Sequence, residues 1–170
     1  MKHDYSIERE HIILVPMDEQ TSECYRKLRN REDNRNFFFN SVVIEKEQQE
    51  KWFQNYLNKQ SEYMFAVFLK EKMEFVGGIG IYDIDLFRKT AEVGRIIIDR
   101  NLAAGKGYGT EAIKGVCRIA QDKLNLEEMY AYIYSANLAS IKAFFKAGFS
   151  ERSIESENKE TIKVSMMLSQ

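Results

Sequence analysis

The chain has 170 residues, of which 44% are hydrophobic, and its 25 lysines and arginines nearly balance 26 aspartates and glutamates, for a formal charge of −1. That length and apolar content suit one domain over 1–170 with its own core, and they exclude wholesale disorder. Charges of both signs are mixed along the chain without a basic block, which argues against nucleic acid as a partner.

In chain order, Ile12-Ile13-Leu14-Val15 is short and β-branched and predicts a first strand that Pro16 stops. Asp18 is placed to cap a helix running to about Arg29. Asn30 to Asn40 reads as a loop carrying Phe37-Phe38-Phe39, and a second helix is predicted over Glu47 to Leu57 with Trp52, Phe53, Tyr56 and Leu57 on one face. Strands follow at Tyr63–Leu69, Phe75–Tyr82 and Ala91–Ile98, the first two joined as a hairpin by the charged turn Lys70–Glu74. A glycine-rich loop then opens a helix from about Gly109 to Leu124, with Ala112, Ile113, Val116, Cys117, Ala120 and Leu124 as its apolar stripe. Met129–Tyr134 is a further strand, Asn137 caps a helix ending near Lys146 with Gly148 as its stop, and Phe149–Ile154 and Thr161–Leu168 close the chain as a hairpin. The order β-α-α-β-β-β-α-β-α-β-β predicts an α/β (α+β) mixed sheet with helices on both faces.

Several chemistries are disfavoured. Cys24 and Cys117 fit no metal spacing, and Cys117 reads as a buried core thiol. The two histidines, His3 and His11, both lie near the start of the sequence, and there is no G-x-S-x-G elbow. Nucleophilic triads and histidine metal sites are therefore not expected, and no metal is. No run approaches the ~18 apolar residues of a membrane helix, and Met1–Tyr5 lacks the apolar core of a signal peptide. A cytoplasmic location without a membrane partner is the expectation.

The segment Gly105-Lys106-Gly107-Tyr108-Gly109 lies between a strand and a helix start. Glycines let backbone N–H groups approach an anion, and the helix dipole favours negative charge there. A mobile turn with glycines for positive φ is the equally weighted alternative. The P-loop pattern fails because Gly107 follows Lys106. The pattern G-x-G-x-x-A is met by Gly107, Gly109 and Ala112, but too little chain follows for a dinucleotide fold.

Ala91-Glu92-Val93-Gly94-Arg95-Ile96-Ile97-Ile98-Asp99, followed by Gly105-Lys106-Gly107-Tyr108-Gly109-Thr110-Glu111-Ala112, resembles the central motif of the GNAT superfamily of N-acetyltransferases. Asn137-Leu138-Ala139-Ser140 with Lys146-Ala147-Gly148-Phe149 is similar to that family's second motif, N-x-x-S…K-x-G-F. The subgroups most similar in look are the ribosomal-protein N-terminal and polyamine acetyltransferases. Leu28-Arg29-Asn30 with Phe37-Phe38-Phe39 and Gln48 to Leu57 also resembles acetyltransferases of amino-sugar nucleotides.

The resemblance implies a GNAT fold and acetyl-CoA as acetyl donor. The strand Val93–Ile98 would splay from Met129–Tyr134, with the pantetheine arm between them. Backbone N–H groups of Lys106, Gly107, Tyr108, Gly109 and Thr110 would bind the pyrophosphate, with Gly105 in the same cofactor loop and Asn137 and Ser140 near the pantetheine or phosphate end. The family motif begins with Arg or Gln at the place of Ala104, so a side-chain contact is lost while the backbone donors stay.

Acetyl transfer needs an unprotonated amine, and a lysine-like amine has a pKa near ~10.4. A general base relieves that. By family likeness the base is Glu92; a salt bridge from Glu92 to Arg95 or Lys89 is the structural alternative. The likeness places thioester-oxygen donors on the backbone of Ile96, Ile97 and Ile98. Many family members carry a tyrosine acid at the position of Phe144, which cannot donate a proton. Tyr130, Tyr132 and Tyr134 share one strand face. Tyr134 is then the candidate acid, against the heavier-weighted alternative of an aromatic core ladder, with water as a third donor. The acceptor side falls to Arg29–Asn40 and Ser153–Thr161, with Phe37 to Phe39 as pocket wall or core. Asp83, Asp85, Glu155 and Glu157 are weighed as amine attractors or, more heavily, as solvated loop charge. The acceptor is a small-molecule or peptide amine, such as a protein N-terminus or polyamine, with an amino-sugar nucleotide as alternative; a homodimer is compatible. The competing functions are a silent acyl-CoA sensor and, much less favoured, a dinucleotide-dependent oxidoreductase.

Overall fold

The computed structural model describes residues 2–38, 40–152 and 160–168. Eight strands form one sheet in the order β1-β2-β3-β4-β5-β6-β8-β7. They are β1 Ile7–Glu8, β2 Ile12–Pro16, β3 Tyr63–Leu69, β4 Glu74–Asp85, β5 Thr90–Ile98, β6 Glu128–Tyr134, β7 Ser150–Glu151 and β8 Thr161–Met167. The helices are α1 Glu19–Asn30, α2 Glu32–Arg35, α3 Lys46–Asn58, α4 Arg100–Ala103, α5 Tyr108–Leu124 and α6 Leu138–Lys146. The expected α/β mixed sheet with helices on both faces is present. Short β1, α2 and α4 carry too few residues to leave a periodic signal.

Three sequence expectations need correction. Pro16 ends β2 from within, paired with Phe65. β1 reaches only Ile13 and Leu14, so Pro16 has an open side where its missing N–H costs no rung. The closing hairpin is expected to begin with Phe149–Ile154, but β7 holds only Ser150 and Glu151, and Ile154 lies outside the described residues. The tyrosines of β6 form no core ladder. Met129, Ala131 and Ile133 take the buried face, leaving Tyr130 and Tyr134 half-buried and Tyr132 exposed on the other.

Two cores flank the sheet. On one face α5 buries Ala112, Ile113, Val116, Cys117 and Ala120 against Leu14, Val67, Ile81, Val93 and Ala131. Burial pushes the Cys117 thiol up to about 12, so it is an inert core group. On the other face α1 and α3 enclose Met17, Tyr25, Leu28, Phe53, Tyr56, Met64 and Ile97. Asp18 caps α1 as expected, its carboxylate accepting the Thr21 N–H at 2.8 Å.

Two irregularities shape the site. Every neighbouring pair of strands is antiparallel except β5 and β6, whose parallel ladder holds only Thr90↔Glu128, Ala91↔Met129 and Glu92↔Tyr130. Beyond Glu92 the strands separate. β5 also carries a bulge against β4: Gly80 faces Gly94 and Gly78 faces Ile97, so β5 has one extra residue, and Arg95 takes φ 51°. The extra residue reverses the alternation. Ala91 and Val93 face the α5 core before the bulge, Ile96 and Ile98 pack on that side after it, and Ile97 enters the α1/α3 core.

The first residues pack against the end of β3. The His3 ring has Nε2 3.1 Å from the Met64 carbonyl, and its Nδ1 accepts the Tyr5 N–H at 3.2 Å.

Candidate active site

The glycine loop after α4 turns through Gly105 and Gly107, at φ 74° and 77°. Neither would meet an atom within 4 Å if given a Cβ, so the backbone conformation, not packing, requires glycine at both. Gly107 is the N-cap of α5 and supplies no side chain. Glu111 N–H is the first to bond back, to Gly107 O at 3.1 Å. The N–H groups of Tyr108, Gly109 and Thr110 therefore have no partner inside the helix, and they open on a cavity of about 390 Å³.

That cavity gathers the residues expected to hold the cofactor: Ile96, Ile97, Ile98, Gly105, Gly107, Tyr108, Gly109, Thr110, Asn137 and Ser140. Lys106 is not among them. Its N–H is spent on the Ala103 carbonyl at 3.1 Å, and its side chain is exposed, so the expectation of a Lys106 donor is not met. Asn137 caps α6, with Oδ1 accepting the Ser140 N–H at 3.2 Å; the cap orients both residues at the cavity wall.

Three cations stand on this wall, Arg100, Lys142 and Lys146; the sequence singles out only Lys146, as a motif lysine and not as a cation of the cavity. Lys142 and Lys146 are spaced i, i+4 on α6, a signal the helix prediction contained. Arg100 lies over the Phe37 ring at 4.9 Å. Ala104 also lines the cavity, beside these cations. Glu111 does not oppose them. Its carboxylate turns to β2, taking the His11 N–H at 2.9 Å and lying 2.8 Å from the ring Nδ1.

A second cavity, of about 130 Å³, occupies the split between β5 and β6 and shares Phe37, Phe38, Ile96, Asn137 and Ser140 with the first. Tyr134 and Phe144 line it. Phe144 is 1% exposed and packs edge-on against Phe149 at 5.0 Å between ring centres, a packing role. Phe37 and Phe38 are wall residues; Phe39 lies outside the described residues. The loop bearing them is anchored by buried Arg29, which donates to Asn40 O at 2.6 Å and lies 4.5 Å over the Phe38 ring. Along the split, the edge of β5 beyond Glu92 has no ladder partner on β6, so half of its backbone polar groups face the cavity.

Glu92 does not line either cavity. It lies at the closed end of the split, between its cross-strand neighbours Tyr82 and Tyr130. Tyr82, which lines the second cavity, donates its hydroxyl to Glu92 Oε1 at 3.1 Å. Gly94 makes this possible, since a Cβ there would collide with the Tyr82 hydroxyl. Burial raises the Glu92 carboxyl above its ordinary value and Asp83 adds to this, while the Tyr82 hydrogen bond and the charges of Arg95 and Lys163 oppose it. The salt-bridge alternative does not hold among the described residues. Arg95 pairs with Glu62 at 2.6 Å and Lys89 with Glu127 at 2.7 Å.

Arg95 is held from several sides. Its carbonyl accepts the Tyr25 hydroxyl at 2.8 Å, and its guanidinium lies 4.2 Å over the Tyr82 ring. Asp85, weighed as an amine attractor, instead caps its own turn, accepting the Phe87 and Arg88 N–H groups. Glu155, Glu157 and the rest of 153–159 lie outside the described residues.

The residues fit a CoA-type ligand: unpaired helix-start donors and three cations suit its phosphates, and the open edge of β5 suits a pantetheine amide chain. No cluster of three metal-ligating side chains occurs among the described residues. Nor, among them, is any helix long and apolar enough to cross a membrane.

Comparison with known proteins agrees with this geometry. Among solved structures, the fold matches spermidine N-acetyltransferase of Vibrio cholerae, determined in complex with CoA and spermine, at TM-score 0.82 and 17% identity, covering 94% of this chain and 97% of that one. It also matches a putative ribosomal-protein-serine acetyltransferase of the same organism, at TM-score 0.76 and 20% identity over 96% and 98% of the two chains. In sequence, the chain is 30% identical over 107 residues to the probable N-acetyltransferase YjcK of Bacillus subtilis, covering 62% of this chain. The match spans 58% of that relative's length. The model of the acetyltransferase (GNAT) domain matches residues 11–150. The chain belongs to the GNAT acetyltransferase family, whose acetyl donor is acetyl-CoA.

Proposed function

We propose that residues 1–170 form one acetyltransferase domain that moves an acetyl group from acetyl-CoA to a primary amine, with Glu92 as general base. The observation that carries this reading is the wall that the two cavities share. Phe37, Phe38, Ile96, Asn137 and Ser140 line both the cavity at the unpaired N–H groups of α5 and the split between β5 and β6, whose closed end is Glu92.

When bound, acetyl-CoA supplies an acetyl group activated as a thioester. The N–H groups of Tyr108, Gly109 and Thr110 hold its pyrophosphate, with Arg100, Lys142 and Lys146 adding charge. The backbone of Ile96 to Ile98, on the open edge of β5, orients the pantetheine arm and donates to the thioester oxygen. Glu92 accepts the amine proton, directly or through a water at the Tyr82 hydroxyl, and its raised pKa brings it nearer to working pH. Tyr134, in the wall of the inner cavity, is the proposed proton donor to the departing sulfur in place of Phe144.

The test is thiol release from acetyl-CoA with a panel of amines, for the native protein and Glu92→Gln. Turnover that falls at least tenfold on this substitution and loses its acid limb supports the assignment. Cofactor binding with no turnover of any amine would instead identify a silent sensor.

A further inference from the structure

The face of the sheet that presents Glu92 to the acceptor is not uniformly acidic. Tyr82 and Tyr130 flank Glu92 in register, one on each neighbouring strand. Each ring carries a cation: Arg95 at 4.2 Å from the Tyr82 ring centre, and Lys163 at 4.9 Å from that of Tyr130 and 5.6 Å from that of Tyr132. Lys163 stands opposite Tyr132 on β8, so its side chain shares the face of Tyr130 and Glu92. Both cations act on Glu92, lowering its proton affinity against the effect of burial.

The two cations differ in one respect. Arg95 is already paired with the buried carboxylate of Glu62. Lys163 is half-buried and, among the described residues, makes no ion pair, its contacts being the two rings. Among the described residues no carboxylate holds its ammonium in an ion pair, so that charge is available to an anion. A polycation brought to Glu92 would meet Arg95 on one side and Lys163 on the other.

Resting on the proposed acetyl transfer, we infer that the acceptor is an amine that also carries an anionic group, a carboxylate or a phosphate, with Lys163 as the residue that selects it. The amine goes to Glu92 and the anion to the Lys163 ammonium, whose place over Tyr130 and Tyr132 is fixed by the register of β6 and β8. On this reading the native protein discriminates against spermidine, because one end of the site repels the second charge.

The experiment compares matched acceptors with the native protein and Lys163→Met, which keeps an unbranched stem on the tyrosine rings. Glucosamine 6-phosphate against glucosamine tests phosphate; glutamate against glutamine tests carboxylate; spermidine tests the polycation. KM for the favoured anionic acceptor should rise about tenfold or more in the variant with kcat little changed, the scale of one charge-assisted hydrogen bond. Measured well above the acid limb, where Glu92 is ionised in both proteins, the neutral partner should be unaffected. Lys163→Glu should shift preference toward spermidine. Equal effects on charged and neutral acceptors, or spermidine as the best native acceptor, would overturn the inference while leaving acetyl transfer standing. Calorimetric binding of the same acceptors separates the two ideas. Binding of an anionic amine that weakens in Lys163→Met, with no turnover, upholds the selection by Lys163 and refutes the reaction; no difference in binding and none in turnover refutes the selection.

Discussion

Replacing Tyr82 by Phe isolates one bond. The ring stays, and with it the packing on Gly94 and the platform under Arg95; the hydroxyl that donates to Glu92 Oε1 at 3.1 Å is lost. That bond favours the ionised carboxylate, so its removal raises a pKa that burial already holds above the ordinary value. Hydrogen bonds to charged groups contribute about 1.5–3 kcal/mol. At this length and with Glu92 partly solvated, the lower end applies, and about 1.4 kcal/mol corresponds to about one pH unit. A general base works only when ionised, so the acid limb of the pH profile of kcat/KM should move up by about one unit. Below the limb the variant should lose about tenfold, and well above it the two proteins should agree. The assay is thiol release from acetyl-CoA across pH with one amine, with Glu92→Gln as the control whose limb is gone. An unmoved limb would refute the coupling, and so would a loss of the same size at every pH.

Gly107→Ala should cost about 1 kcal/mol of stability, since φ is 77° there and an added methyl meets open space. Gly109→Ala, inside the first turn at ordinary φ with only the Ala143 Cβ near, should be neutral or stabilising by up to about 1 kcal/mol; denaturant unfolding of both variants reads the contrast. The His3 ring holds two bonds that together require its neutral form, and burial depresses its pKa. A depressed histidine contributes stability above its unfolded value of about 6.5 and loses it as pH falls through that value toward the folded one. Hydrogen exchange at the Tyr5 amide should therefore quicken below about pH 6.5, beyond its intrinsic pH dependence. A His3→Gln protein should show no such step.

The parts of the site written in local sequence were legible. Glycines at positive φ, the N-caps Asp18 and Asn137, and the strand before the loop are decided within a few residues. What depends on distant pairing was not. Tyr130, Tyr132 and Tyr134 alternate with Met129, Ala131 and Ile133, and both sets are apolar enough to be core; only the register with β8 and the packing of α5 decide which set is buried. The run Ile96-Ile97-Ile98 has no alternation at all, so nothing local announced that the bulge at Arg95 sends Ile97 to the opposite core. Tyr82 was missed because its significance comes from facing Glu92 across two strands. Lys142 and the pairing of Lys142 with Lys146 were missed although the spacing was visible, since a lysine pair on an exposed helix turn is ordinary until the helix is placed beside a cavity.

The short parallel ladder between β5 and β6 has a mechanical consequence. Within the sheet, β1 to β5 and β6 to β8 are sewn together by three residue pairs, the last of them Glu92 with Tyr130. A seam that ends there acts as a pivot. Outward motion of the two strands grows with distance from it, large at the mouth beside Ile98 and Tyr134 and small at Glu92. The cleft can thus widen to admit a long ligand while the carboxylate at its root keeps its place.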